Sequence, residues 1–549
     1  MGRNLDTGPR PSFTARASRR LASTSLGRRT AALTAELRTR RVPLHWTNLF
    51  GVVAVASVVV LFATGFLLMF WYTPSGTRVV YDGPYLPLGG AEMSKAFRST
   101  LSISFEVPGG LLVRQAHHWA GLLLPAALLL QLTVTFFTGA FRRPRRLSWL
   151  LLFGLGLTAL LGGWSGYALP DDMLSGTGLR IVEGIVLGIP VVGTWLSALL
   201  FGGEYPGRII ENLYPIHVAV VPVLLALLLA ARWRRAYVTG PAQFAGPGRT
   251  EDRVVGIPVL PGLAVRAGGL FAIVTGVILL VAATVTVSPV WLYGPSSPGD
   301  ASAGSQPDWY TGFLDGALRL VPPGWEVEWL GRTWTLAVIV PLAVVGLFLL
   351  AVAVYPFVEE WVAGDHGDHH LLDRPRNEAT RTGVGVAGLV CYGVLWGTAS
   401  ADLVATHFHL AVESVVATDQ VLVVVGPPLA FWLTRRVCLA LQGRDRDILL
   451  HGYETGRIVR LPGGEYVELH AHVDEDERAR LAGPVAARRV EVRPDARGRR
   501  RLTERLRAAL SRMFFDDRLE PVATEAAPDA AVEGGRTDDA IAAERAGAA

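Results

Sequence analysis

Histidine is costly inside a bilayer, so a histidine within an apolar run marks a ligand, a proton path or a buried hydrogen bond. The stretch RQAHHWAGLLLPAALLLQLTVTFFTGAFRRPRR, residues 114–146, opens such a run with His117 and His118, and NLYPIHVAVVP opens another with His217. If both runs enter the membrane from the same side, His117 and His217 stand at matched depth on two helices. Imidazoles so placed either ligate one haem iron from opposite faces or hydrogen-bond across the helices, and spacing alone leaves both open. Glycines bear on the choice. The interval from Gly51 to Gly65 is about four helical turns, so the two share one helix face. Glycine on that face admits a flat macrocycle against the backbone, and it equally permits close helix packing.

Such residues need membrane helices to carry them. Half of the 549 residues are hydrophobic, which is too apolar for one soluble domain of this length and marks a polytopic membrane protein. Apolar runs fall at 47–71, 111–138, 148–168, 212–233, 267–294, 334–357, 381–400 and 412–434, each near the roughly 20 residues that a bilayer core requires. Eight helices are expected. Arginines cluster at Arg142, Arg143, Arg145 and Arg146, at Arg232, Arg234 and Arg235, at Arg374, Arg376 and Arg381, and at Arg435 and Arg436. With the arginine-rich N-terminus they share one side when both termini are cytoplasmic, which puts the histidines in the outer half of the membrane. The clustering, with a net charge of only +5, argues against nucleic-acid binding.

Two cysteines, Cys391 and Cys438, both in apolar runs, support neither a disulfide framework nor a CxxCH haem attachment nor an iron–sulfur centre. A cluster of that kind would have to come from a partner. The N-terminal stretch before the first apolar run lacks the apolar core and cleavage site of a signal peptide and is expected to form a cytoplasmic arm. Residues 72–110, 169–211 and 295–333 read as outer loops.

The strings RQAHHWAG, FFTGAFRRPRR, GYALPDDMLSGTGLR, LYPIHVAVVP, FAGPGRTEDRVVG, SAGSQPDWY and RDRDILLHGYETGRIVRLPGGEYVELHA, in this order over about residues 41–480, resemble the cytochrome b subunit of bc-type quinol–cytochrome c reductases in its eight-helix actinobacterial form. The resemblance implies an all-α polytopic membrane protein of the plasma membrane. A basic cytoplasmic arm, 1–45, would precede a haem-binding four-helix bundle, 46–240, and four further transmembrane helices, 241–440. A cytoplasmic domain, 441–517, and a disordered tail, 518–549, would follow. The family's Arg-x-x-His pattern selects His117, counted from Arg114, as an iron ligand and leaves His118 as its neighbour. His217 becomes the opposite ligand of the outer b haem, with Gly51, Gly65 and Gly166 giving clearance. Pro307-Asp308-Trp309-Tyr310 resembles the Pro-Glu-Trp-Tyr of the outer quinol-oxidation pocket. There Asp308 would accept a quinol proton beside Tyr310, with Pro307 and Trp309 shaping the pocket. Implied partners are a Rieske iron–sulfur protein, a cytochrome c subunit, a terminal oxidase and menaquinone, in a dimeric complex.

The pattern departs from the family at the inner haem. A second histidine is expected about four turns after His117, at the position that Gln131 holds. Its partner is expected at the same interval after His217, at Ala231 or Arg232. A glycine is expected at the same interval before Gly166, where Leu152 stands, and an arginine at Val134. One b haem, at the outer site, is therefore expected, with the inner ligands replaced by Gln131 and Arg232. Other histidines offer no rescue. His45 precedes the first helix, His407 and His409 point to different helix faces, and His366, His369 and His370 with Asp365 and Asp368 read as a solvated loop in preference to a metal site. Two functions follow: the membrane subunit of a menaquinol–cytochrome c reductase, or a diverged single-haem paralogue with an accessory role. A transporter lacks the mid-membrane charged pair and inverted repeat that would suggest it.

Overall fold

The computed structural model describes residues 22–203, 205–297, 299, 306, 308–482, 490 and 502–515. Pro307 and the tail expected to be disordered, 518–549, lie outside the described residues. The spans are α1 (Trp46–Leu68), α2 (Gly110–Phe137), α3 (Arg146–Ala168), α4 (Ile209–Thr239), α5 (Val259–Thr284) and α6 (Leu336–Ala363). Then come α7, which joins Ala379–Thr398 to Ala401–Phe408 across a 63° bend, and α8 (Val412–His451). Among the described residues these are seven unbroken apolar helices, or eight spans with the bent pair. Lipid leaves no water for backbone groups, and a helix satisfies them within the segment. The chain is thus an all-α, multi-pass membrane protein, with only two-stranded ribbons beside the helices among the described residues.

Local sequence explains the helix that carries His217. Within α4, Ile216–Val220 is a π turn in which Val221 N–H reaches back to the carbonyl of Ile216. Pro222 has no N–H for the carbonyl of Val218, so the ordinary ladder is interrupted there and the turn widens around His217.

Helices α1 to α4 pack around one aliphatic core made of Ala54 and Val58 from α1, Leu124, Ala127 and Leu128 from α2, Leu152, Leu155 and Ala159 from α3, and Val221 and Leu225 from α4. At the arginine-rich end, called the inner end below, a buried ion network ties this bundle to the later spans. Arg381 donates to Asp373 at 2.7 Å and to Glu359 at 2.9 Å, and Arg142 donates to Asp373 at 2.9 Å.

Two boundaries differ from the hydropathy reading. Helix α5 occupies 259–284, earlier than the expected 267–294. The β-branched run Thr284-Val285-Thr286-Val287 leads into Ser288-Pro289, and a residue before proline is pushed out of the α region. The chain leaves the helix, and the carbonyls of Val285, Val287 and Ser288 accept from Trp119, Gln115 and Arg114 on α2. Helix α8 runs unbroken to His451, so the polarity change near 440 falls inside a helix. Its polar end is held by Asp445, which pairs with Arg374 and Arg376. In the loop after α6, His366 meets Glu360 and His369 meets Asp365, and no metal-binding cluster occurs among the described residues.

Candidate functional site

The outer half of the four-helix bundle encloses a cavity of about 390 Å³ lined by Gly65, Arg114, His117, Gly166, His217 and Asp308, among others. His117 on α2 and His217 on α4 face one another with ring centroids 6.0 Å apart and planes crossed at 70°. Two metal–imidazole bonds of roughly 2 Å, with each ring centre about 1 Å beyond its nitrogen, require a centroid separation on the order of 6 Å. The pair is therefore spaced to share one metal ion.

The glycines serve the imidazoles directly. A Cβ on Gly65 would stand 3.1 Å from His117 Cε1, and one on Gly166 would stand 2.5 Å from His217 Cε1. Any side chain at either position would displace the ring. Next to that edge the rings meet hydroxyls, His117 Nδ1 at 2.9 Å from Thr64 Oγ1 and His217 Nδ1 at 3.1 Å from Ser165 Oγ. Arg114 donates through Nη2 to the carbonyl of Ser288 at 2.7 Å, while its buried Nη1 has no protein partner. An unpaired guanidinium nitrogen beside the cavity suits a carboxylate on whatever fills it. Paired imidazoles, glycine clearance and a cation for a propionate together fit a haem.

At the mouth, Tyr310 donates from its phenol to Asp308 Oδ2 at 2.6 Å. Burial, and then the neighbouring carboxylate, hold the Tyr310 phenol well above its ordinary pKa, so it stays a donor. His118, which sequence reasoning set aside, places Nε2 at 3.6 Å from Asp308 Oδ1 with no hydrogen-bond partner. Its signal was present in the doubled histidine, but the loop it serves, around Asp308, lies far along the chain. Trp309 has a different duty from the expected one. It does not line the cavity; its indole donates to the carbonyl of Leu122, and its own carbonyl accepts from Trp396, pinning the loop between α2 and α7. Asp172 also lines the cavity and caps the helix Met173–Leu187, and burial raises its carboxyl pKa. Asp171 beside it is pushed up to about 6 by burial.

A family model described as Cytochrome b(N-terminal)/b6/petB matches residues 122–295. The cytochrome bc1 complex cytochrome b subunit of Streptomyces coelicolor is 45% identical over 481 residues, 86% of this chain and 88% of that protein. Its counterpart in Mycobacterium tuberculosis is 44% identical over 430 residues, 78% of each. The chain belongs to the cytochrome b subunits of bc1-type complexes. A solved chain titled Hyperthermophilic respiratory Complex III shares the fold, with a TM-score of 0.55 and 17% identity, covering 76% of this chain and 99% of that one.

Aliphatic side chains fill the inner half of the bundle. Leu152 is 2% exposed and sits in the aliphatic core, which rises to the cavity floor at Leu124, Ala159 and Leu225. Gly51 lies away from the cavity lining, its missing Cβ 3.7 Å from Gln131 Oε1. Gln131 donates to Thr135 Oγ1 at 3.4 Å, and Arg232 donates to the carbonyl of Ser148 at 2.7 Å. Those side chains supply no opposed imidazoles, and Leu152 stands where the family resemblance implies a glycine. The residues present do not fit a second haem.

Proposed function

We propose that this cytochrome b is the membrane subunit of a respiratory quinol–cytochrome c reductase that oxidises menaquinol at the outer pocket and binds a single b haem. The observation that carries this reading is the His117–His217 pair at 6.0 Å, set above an inner half packed with aliphatic side chains. When bound between these histidines, the haem supplies a one-electron acceptor within the bundle.

The chain's own groups handle the proton and the fit. Asp308 accepts the proton of a quinol hydroxyl, as a carboxylate at the edge of an apolar pocket can. Tyr310 occupies Oδ2, which leaves Oδ1 turned toward the side of His118. Leu61, Phe62, Phe66 and Met69 from α1 and its C-terminal edge wall the same cavity with apolar surface and keep water from the reacting hydroxyl.

The reductase reading assigns a Rieske iron–sulfur protein and a cytochrome c subunit as partners, with a terminal oxidase downstream and a dimeric assembly. The reading carries a plasma-membrane location with it, and arginine placement supports an orientation with both termini in the cytoplasm. The same reading divides the chain into arm, haem-binding bundle, C-terminal spans and cytoplasmic domain. The filled inner half favours one alternative, a single-haem paralogue in an accessory role. Adding a menaquinol analogue to the purified complex separates the two. Reduction of the b haem by quinol supports the reductase; a haem reduced by dithionite but untouched by quinol supports the accessory reading.

A further inference from the structure

Neutral imidazole is a metal ligand through one nitrogen only, so a haem site must decide which ring nitrogen carries the proton. Two buried hydroxyls, each beside a backbone carbonyl that also meets the ring (Leu61 for His117, Gly162 for His217), bear on that decision in this chain. Thr64 Oγ1 donates to the carbonyl of Val60 at 2.6 Å, and Ser165 Oγ donates to the carbonyl of Gly162 at 3.2 Å. A hydroxyl has one proton, and each of these is committed to its own helix. Toward His117 Nδ1 at 2.9 Å and His217 Nδ1 at 3.1 Å, both oxygens therefore offer lone pairs. The imidazoles must be the donors, with the proton on Nδ1 and the lone pair on Nε2.

We propose that Thr64 and Ser165 are positioning residues that fix the tautomer, ring plane and donor strength of the two iron-binding histidines. The inference rests on the haem reading above and extends it to residues outside the ligand set. Its geometry repeats across the bundle. Thr64 precedes Gly65, whose missing side chain admits His117, and Ser165 precedes Gly166, whose missing side chain admits His217. One two-residue unit, hydroxyl then glycine, thus clears the ring and orients it, once from α1 and once from α3. Both hydroxyl residues are buried, Ser165 completely. About four turns toward the inner end the corresponding positions are Phe50 with Gly51 and Leu151 with Leu152, and neither Phe50 nor Leu151 can accept a hydrogen bond from a ring.

Serine and threonine often back-bond to a carbonyl one turn earlier simply to satisfy themselves within a membrane helix. That role would leave the metal indifferent to their loss. A partner accepting from Nδ1–H instead makes the ligand more basic and stabilises the ferric state. Thr64→Val and Ser165→Ala keep the shape and remove the hydroxyl acceptor, leaving only the carbonyls of Leu61 and Gly162; Thr64→Ser keeps it. The test is potentiometric titration and ferric EPR of the purified haem-loaded complex. Both acceptor-deleting variants are expected to raise the midpoint potential and change the EPR signal, with the double variant shifted further and Thr64→Ser close to wild type. Haem loss from Thr64→Val with retention in Thr64→Ser supports the same assignment, as displacement of an unsupported ring. Retained haem with unchanged potential and EPR in both variants overturns it. Failure of the haem reading is separately visible, as wild-type protein without haem or as His117→Ala with its haem intact.

Discussion

Gly51 on α1 faces Gln131 on α2, the missing Cβ 3.7 Å from Gln131 Oε1, in the register by which Gly65 faces His117 about four turns away. On the single-haem reading proposed above, the inner half keeps one glycine of a ring-binding arrangement without a ligand opposite it. On α3 the equivalent position is Leu152, 2% exposed among Leu155, Leu128 and Leu225. A large aliphatic side chain in a close-packed core is not moved aside by a ligand without cost.

That relationship predicts what rebuilding requires. Gln131→His with Arg232→His and Leu152→Gly is expected to raise haem content above that of the wild type, whereas the two histidines alone do worse because Leu152 still fills the space. The glycine substitution should cost stability, about 2–5 kcal/mol as for other buried leucines cut back to small residues. Haem-to-protein ratio and the thermal midpoint in detergent are the measurements. Equal haem content in the double and triple variants would show that Leu152 is not the obstacle.

At the outer site, His117→Ala and His217→Ala are each expected to abolish the reduced-minus-oxidised b-type absorbance, because each would remove one of the two proposed iron ligands. Spectra retained in both variants would rule out this ligand assignment.

Asp308→Asn is expected to slow quinol oxidation by about 100-fold, the lower end of what a positioned proton acceptor contributes, with haem content unchanged. The amide keeps the size and the Tyr310 contact but cannot take a proton. A rate equal to wild type would leave Asp308 a purely structural role in its loop.

The membrane fold and the candidate residues of this site are legible in the sequence for physical reasons. His117, His217, Gly65 and Gly166 announce themselves because polar groups and glycines are conspicuous inside apolar helices. The membrane class follows from helix length against bilayer thickness. Other features depend on contacts between distant segments. His118 gains meaning only where the loop carrying Asp308 folds back over α2, and Trp309 looks like a pocket residue until its indole is seen on the Leu122 carbonyl. The ends of α5 and α8 were misplaced by hydropathy because Ser288-Pro289 stops one helix within an apolar run, whereas ion pairs to Asp445 carry the other past its apolar stretch.

Asp171, buried at the outer end of the bundle, gives a pH signature. Burial pushes its carboxyl from 3.8 up to about 6, so the folded protein holds this proton more tightly than the unfolded chain. Its contribution is favourable below the unfolded value and is lost as pH rises through about 6. A shift of about two units corresponds to roughly 3 kcal/mol between the limits. Asp171→Asn, which also tolerates the residue's φ of 53°, is expected to stabilise the protein more at pH 8 than at pH 4. Thermal midpoints at the two pH values check this; an equal effect at both would mean that Asp171 titrates normally.

The central claim is a cytochrome b with one haem, and the haem-to-protein ratio of the purified chain tests it most directly. Pyridine haemochrome absorbance, with protein measured by quantitative amino-acid analysis, should give one b haem per chain, lost when His117 or His217 is replaced by alanine. Two haems per wild-type chain would contradict the account, because the inner half would then hold a ring where Leu152 and Gln131 now stand.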